Sequence, residues 1–357
     1  MYHELRRVSL RNHQDILMHA ALWVCATIVG NYSSFITNPG SFVKKTCLFL
    51  LLSISVSAQT SIEKARKLYE ERKPAEATKI LSGIKDDDKE FAAAQYYQGR
   101  IAFDEKNYDD AQEFFEEAVD ANDKVAQYQN WLGNSYGQIA GDANVIKQGM
   151  LAPKMKNAWE RAVALDPAYI EPRESLIQFY LQTPSFMGGS TDKAKEMASQ
   201  IMKLNAARGH LQMGTIYAKE KQLDQAEKEF VEMVRIDPTY LPRLASYYVT
   251  QKQFDKAFTL YEETVKKNPQ DMASIYQIGK TSALSGQKLE RGEECLKKYL
   301  LYSPKQNEPS LAGANMRLAQ INEKKGNKIE AKRLYELALK LDASLKEASD
   351  GLQRISK

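Results

Sequence analysis

The chain has 357 residues and carries 50 basic against 46 acidic side chains, for a net charge of +4. Residues 1–58 hold Arg6, Arg7, Arg11, Lys44 and Lys45 against Glu4 and Asp15, which leaves 45 basic and 44 acidic residues beyond them. So balanced a remainder has no electrostatic footprint for nucleic acid or an anionic membrane, and its length suffices for one large core or many small ones stacked in a row.

The first readable element runs from Val43 to Gln59, "VKKTCLFLLLSISVSAQ". Two lysines, a short apolar run and the small residues Val56-Ser57-Ala58 have the layout of a secretory signal peptide, with cleavage expected after Ala58. Val43 stands where an initiator would, because a GTG start codon reads as valine when translation begins upstream. Residues 1–42 are therefore expected to be an over-extended gene start or disordered. Ile16–Val29 spans about 14 residues and the later run is shorter, against ~20 for a transmembrane helix. Cys47 opens the apolar run, so it is no lipoprotein acceptor.

Beyond residue 59 only His210 and Cys295 remain of their kinds. An exported chain of this composition forms no internal disulfide, and one histidine makes neither a two-histidine metal site nor an H-E-x-x-H motif. His210 is expected to pack at a helix edge, and Cys295 to be a buried structural thiol. Asp86–Glu90, "DDDKE", reads as a solvated loop. Gly188-Gly189 lacks the lysine and flanking strand of a phosphate loop. No catalytic constellation, cofactor site or metal site is expected.

Small residues then recur with a fixed period. Ala65, Gly99 and Gly133 lie 34 apart, and Ala77 and Ala111 follow the first two by twelve. Phe115 and Ala118 continue the frame. It returns as Gly214, Tyr217, Ala226, Phe230 and Pro238, then as Tyr248, Ala257, Tyr261 and Pro269, and again as Ala319, Ala331, Tyr335 and Ala338. Within one period, apolar and small residues fall at helical spacing on both sides of the turn "DEKN", with no alternating strand pattern. "LDP", "IDP" and "KNP" close second helices, since proline cannot continue a helix and pushes its predecessor out of helical geometry. The pattern resembles the tetratricopeptide repeat, a 34-residue helix-turn-helix. The resemblance spans 59–342 and implies an all-α, right-handed α-solenoid of about eight repeats. Their second-helix anchors are Ala77, Ala111, Met155, Ala194, Ala226, Ala257, Gly292 and Ala331. Residues 343–357 place Leu345, Ala348, Leu352 and Ile355 on one side of a capping helix.

Two repeats depart from the frame. In the third, Trp131 falls two places late for the family's usual tryptophan, and the turn "QIAGDANVIKQGMLAPKMK" grows by about ten residues. The fourth carries the lengthened "LQTPSFMGGSTDKA". Insertions in a solenoid map to loops on one face, so these two are expected to be neighbours. The Gly-Gly loop, and the long linker after "GKTSALSGQKLERGEECLKKYL", resemble a subgroup of bacterial exported tetratricopeptide proteins.

That resemblance implies a binding role. First helices of stacked repeats line a concave groove, and its inward positions are Tyr96, Arg100, Asn130, Asn134, Gln138, Gln178, Gln182, Arg208, Tyr276 and Lys280. Amides pair with both donor and acceptor of an extended peptide, and Tyr and Arg commonly anchor interfaces. Asn134 fits one place of the family's carboxylate clamp, but Asn130 stands where lysine is expected, so that mode is not expected. The sequence thus predicts an exported, non-catalytic scaffold or adaptor for protein or peptide partners, with no nucleic acid and no membrane insertion after signal cleavage. The alternatives are an accessory factor for envelope enzyme or polysaccharide assembly, with Tyr96 and Tyr276 as saccharide platforms, and a solute-binding or enzymatic role near Gly141 and Asp142.

Overall fold

The computed structural model describes residues 60–356, so the segments 1–42 and 43–58 lie outside the described residues. The described chain is helical, with seventeen α-helices and no strand. It divides into two compact units, one through Ile80 and one from Leu81 onward. In the first, α1 (Ser61–Glu70) opens with a capping box: Thr60 and Glu63 each accept the other's backbone N–H, satisfying two donors the helix leaves unpaired. Four residues after Glu70, Pro74 starts α2 (Pro74–Leu81), a position where its missing N–H costs nothing. Ala65 and Ala77 are fully buried.

In the second unit helices follow in pairs: α3 (Phe91–Asp104) with α4 (Tyr108–Ala121), α5 (Ala126–Gly141) with α6 (Val145–Leu165), α7 (Glu171–Gln182) with α8 (Thr191–Leu204) and α9 (Ala206–Lys219) with α10 (Leu223–Ile236). The pairs α11 (Leu241–Thr250) with α12 (Phe254–Lys267), α13 (Met272–Ser285) with α14 (Leu289–Leu300) and α15 (Leu311–Lys324) with α16 (Lys328–Leu341) follow, then the single helix α17 (Lys346–Ile355). From α3 on, each helix packs on the next. First helices also touch one another directly, α3 on α5, α5 on α7, α7 on α9, and α13 on α15. This is solenoid stacking, and the apolar interior is correspondingly a run of successive clusters, the first built on Phe115 and Tyr136, the second on Ile177 and Ile201, the third from Ala226 to Ala348.

The periodic small residues mark the closest approach within a pair. A Cβ on Gly99 would stand 2.7 Å from the Phe115 ring, so a larger side chain would force α3 and α4 apart. Seven of the eight anchors are fully buried or nearly so, and Met155 is half-buried.

The helix ends follow a rule wider than proline. Asp166, Asp237 and Asn268, each before a proline, are extended at φ −132°, −137° and −134°. Asn122 and Asp342 adopt the same conformation with no proline after them. In all five the side-chain oxygen accepts the N–H two residues on, an Asx turn that competes with helix continuation.

One expectation is corrected. Most of the insertion in the third repeat is not loop but helix: only Asp142, Ala143 and Asn144 connect α5 to α6, and α6 is 21 residues long. Asn144 Oδ1 accepts the Lys147 N–H at 3.0 Å and so starts the helix early. Pro153 is tolerated inside it, although it has no N–H to offer the Gly149 carbonyl. The fourth repeat's extra residues form a single 3-10 turn at Ser185–Met187, and Gly188 then turns with φ +103°, a conformation that favours glycine. The two insertions are neighbours, for Gly149 and Met187 are near contact.

The capping helix docks as expected through Ala348, with Leu345, Leu352 and Ile355 packed around it. Gly351 is the additional contact: its α-carbon faces Tyr335 so closely that a Cβ would lie 2.4 Å from the ring.

Candidate partner-binding face

The first helices α3, α5, α7 and α9 bring most of the predicted groove residues into one connected strip. On α3, Arg100 and Tyr96 are one turn apart, and Arg100 Nη1 donates to the Tyr96 hydroxyl at 3.0 Å. The guanidinium lies 3.8 Å above the Trp131 ring of α5, while Tyr96 stacks on Tyr128 of α5 with centroids 5.0 Å apart. Stacked and hydrogen-bonded together, the arginine and the tyrosine are held in one arrangement. Tyr96, Arg100 and Trp131 are all half-buried, so each keeps a solvent-facing edge.

Further along α5, Asn130 is 3% exposed and donates from Nδ2 to the Tyr169 hydroxyl at 3.0 Å. Its Oδ1 is buried without a hydrogen-bond partner, which costs about 1–3 kcal/mol. Burial pushes the Tyr169 hydroxyl up to about 12, so Tyr169 stays a neutral donor and acceptor. Asn134 works inward: its Oδ1 accepts the Trp159 indole N–H at 3.0 Å, with the Ser175 hydroxyl at 3.5 Å. Gln138, Gln178 and Gln182 are exposed, and Gln182 donates to Gln178 at 3.1 Å.

Arg208 of α9 closes the strip with a forked grip on Glu174 of α7, at 3.1 and 2.6 Å, and a third bond to Glu171 at 3.1 Å. Gln212 adds a bond to Glu174 at 3.1 Å. This bidentate geometry is the strong form of an ion pair, and it spends the cation of Arg208 on a neighbouring repeat.

Tyr276 and Lys280 lie on α13, outside the strip. Tyr276 corrects the expectation of an exposed aromatic: it is 7% exposed, packed 5.1 Å from the Tyr299 ring, and burial pushes its hydroxyl up. Asn130 is likewise too buried to meet a partner directly, and Asn134 is engaged with Trp159. The residues that sequence reasoning missed are Tyr128, Trp131, Tyr169, Glu171 and Glu174.

Cys295 is 3% exposed and burial pushes its thiol up to about 11, which denies it the thiolate that nucleophilic chemistry requires. His210 Nδ1 meets Glu229 Oε2 at 2.6 Å across the α9–α10 pair, a packing contact at the helix edge. Among the described residues no three His, Cys, Asp or Glu side chains are grouped to hold a metal ion, and no helix is long and apolar enough to cross a membrane.

Models of the tetratricopeptide repeat family match residues 62–134, and separately 207–240 and 312–345. Over those segments the chain is similar to tetratricopeptide repeats. Solved structures similar to it include a tetratricopeptide repeat protein from Parabacteroides merdae, 14% identical over 83% of this chain and 98% of that one, with a TM-score of 0.47. The C-terminal part of a TPR repeat-containing protein from Cytophaga hutchinsonii is 17% identical over 82% of this chain and 99% of that one, at a TM-score of 0.43. A thermophilic TPR protein in Thermus thermophilus is 20% identical over 51% and 94%, at 0.38. No curated protein matches the sequence. Tetratricopeptide repeats form protein–protein interaction scaffolds, and proteins built from them are in general non-catalytic.

Proposed function

We propose that this protein is an exported bacterial scaffold or adaptor that holds a protein or peptide partner along the first-helix strip from Tyr96 to Gln182. The observation that carries the reading is the Arg100 guanidinium stacked over Trp131 and bonded to Tyr96, which itself stacks on Tyr128. Arginine, tryptophan and tyrosine are the side chains that most often anchor interfaces. Because neighbouring helices already fix these, little rotamer freedom is lost when a partner arrives. The exposed amides of Gln138, Gln178 and Gln182 then offer donors and acceptors to an extended backbone. Export to the periplasm or beyond is supported by the signal-like stretch 43–58. The polysaccharide alternative loses one of its two aromatic platforms with the burial of Tyr276.

Capture from envelope extracts of the producing cells tests this, using the full chain and an Arg100→Ala variant whose helicity is checked. The expected result is one dominant captured protein with the wild type, and its loss with the variant. Equal capture by both would overturn the assignment of the strip.

A further inference from the structure

The two insertions build a surface that the partner strip does not use. Val145, Ile146 and Met150 on the first turns of α6 are 75%, 78% and 68% exposed, and Phe186 on the 3-10 turn is 87% exposed. At 100° per residue, Val145, Ile146, Gly149, Met150 and Pro153 share one face of α6 that is uncharged over 145–153, with Lys156 on the same side a turn further on, while Leu151, Ala152, Ala158 and Trp159 are buried on the other. Gly149 brings that face to Met187 and hence to the Phe186 turn. Other large exposed apolar side chains, such as Leu301 and Ile329, stand in different repeats, as scattered ones normally do. A contiguous cluster is different, since water penalises it and an occupant relieves that.

The charge around the cluster identifies the occupant. From Val145 to Trp159 there are three lysines, Lys147, Lys154 and Lys156, and the first acid of the helix is Glu160, which pairs with Lys156 at 3.8 Å. Loop 183–190 has no charge at all. Lys147 and Lys154 are exposed along one border of the apolar face, and Asp142 is the acidic residue just before the helix. Two copies meeting through this face would bring Lys147 and Lys154 of each together with one acid apiece, Asp142, against them, while Glu160 is already paired with Lys156; that balance disfavours self-association. Phe186, 87% exposed, leaves most of its ring to solvent. Protruding apolar tips bordered by lysines match the layered chemistry of an anionic bilayer, with headgroup charge outside and acyl chains beneath.

The balanced total charge gives no membrane footprint for the chain as a whole, but it conceals this local pattern, and we propose that the N-terminal half of α6 and the Phe186 turn dock this protein peripherally on an anionic lipid surface. No span is involved, and the partner strip remains a separate site. Docking needs both elements: lysines to hold the surface and the apolar side chains to enter it.

Flotation of the purified chain with vesicles tests the proposal, comparing phosphatidylglycerol–phosphatidylethanolamine with pure phosphatidylcholine. Wild type, Ile146→Ser/Phe186→Ser and Lys147→Glu/Lys154→Glu share one N-terminus, so any contribution of residues 1–58 cancels in their ratio. All four substituted positions are exposed, and circular dichroism confirms each fold. The wild type is expected to float with the anionic vesicles, less so at high salt, and each double variant to partition about tenfold less. Equal flotation of wild type and Ile146→Ser/Phe186→Ser, or none by the wild type, overturns the proposal. So does light scattering in which the wild type is a dimer that the same variant dissociates, since a second copy then occupies the face. Capture of an acidic protein through it, with no flotation, would overturn the proposal as well.

Discussion

Trp159 of α6 donates its indole N–H to Asn134 of α5 at 3.0 Å, and Gly133 beside that asparagine has no room for a Cβ, which would stand 2.6 Å from the same nitrogen. A residue that the sequence placed among partner contacts therefore belongs to the fold. Asn134→Ala leaves a buried indole N–H unpaired and is expected to cost about 1–3 kcal/mol, read as a lower urea midpoint together with altered tryptophan fluorescence. A variant as stable as wild type would show that the bond contributes nothing.

Gly99 and Phe115 are a matched pair across α3 and α4. Gly99→Ala overpacks the contact, and Phe115→Leu leaves a void. Combined, the two should cost less than the sum of the single changes, with a coupling of about 0.5 kcal/mol or more. Denaturant titration of the four chains measures it, and strict additivity would mean that the repeat interior adjusts elsewhere.

Acid should release the capping helix before the rest of the solenoid. Glu323 and Glu347 both lie below the ordinary glutamate value near 4.5, chiefly because the Arg354 and Arg317 guanidinium groups donate to them. A depressed folded pKa contributes stability that is present above the unfolded value and is lost as pH falls through the folded one. The protection of 346–355 against hydrogen exchange, taken relative to the intrinsic rate at each pH, should therefore fall below about pH 4.5, and less so in Arg354→Gln, which has already lost one of the two contacts. A protection profile for that segment independent of pH would contradict this.

The Cys295 thiol, buried and pushed up to about 11, should resist alkylation at pH 8 in the native chain and react on unfolding in urea. Mass spectrometry of the peptide carrying Cys295 distinguishes the two states. Rapid native labelling would mean that α14 opens readily.

The period of small residues made the fold legible, because each marks a close helix approach that no larger side chain permits, and the Asx positions 166, 237 and 268 were visible through the prolines after them. Asn122 and Asp342, lacking that proline, end their helices identically and were not read. The extension of α6 reads as a loop in the sequence, since Gly149 and Pro153 suggest a break, while the Asn144 cap and the buried Leu151–Ala152 side outweigh them in the structure. At the site, contacts between first helices were harder to see than positions on them. Glu174 lies 34 residues before Arg208, one repeat period, so that ion pair could have been found by reading charges one period apart. The sequence does not show the burial of Tyr276, because a first-helix frame gives direction but not the depth to which Tyr299 and its neighbours cover it.

The most direct test of the partner strip places a photo-crosslinking residue at Gln178, exposed on the first helix α7, or at Glu113, exposed on the second helix α4, and irradiates producing cells. The account predicts a discrete protein crosslinked from Gln178 and absent from Glu113. The same crosslink from Glu113, or none from Gln178 while the chain captures a protein, would contradict it.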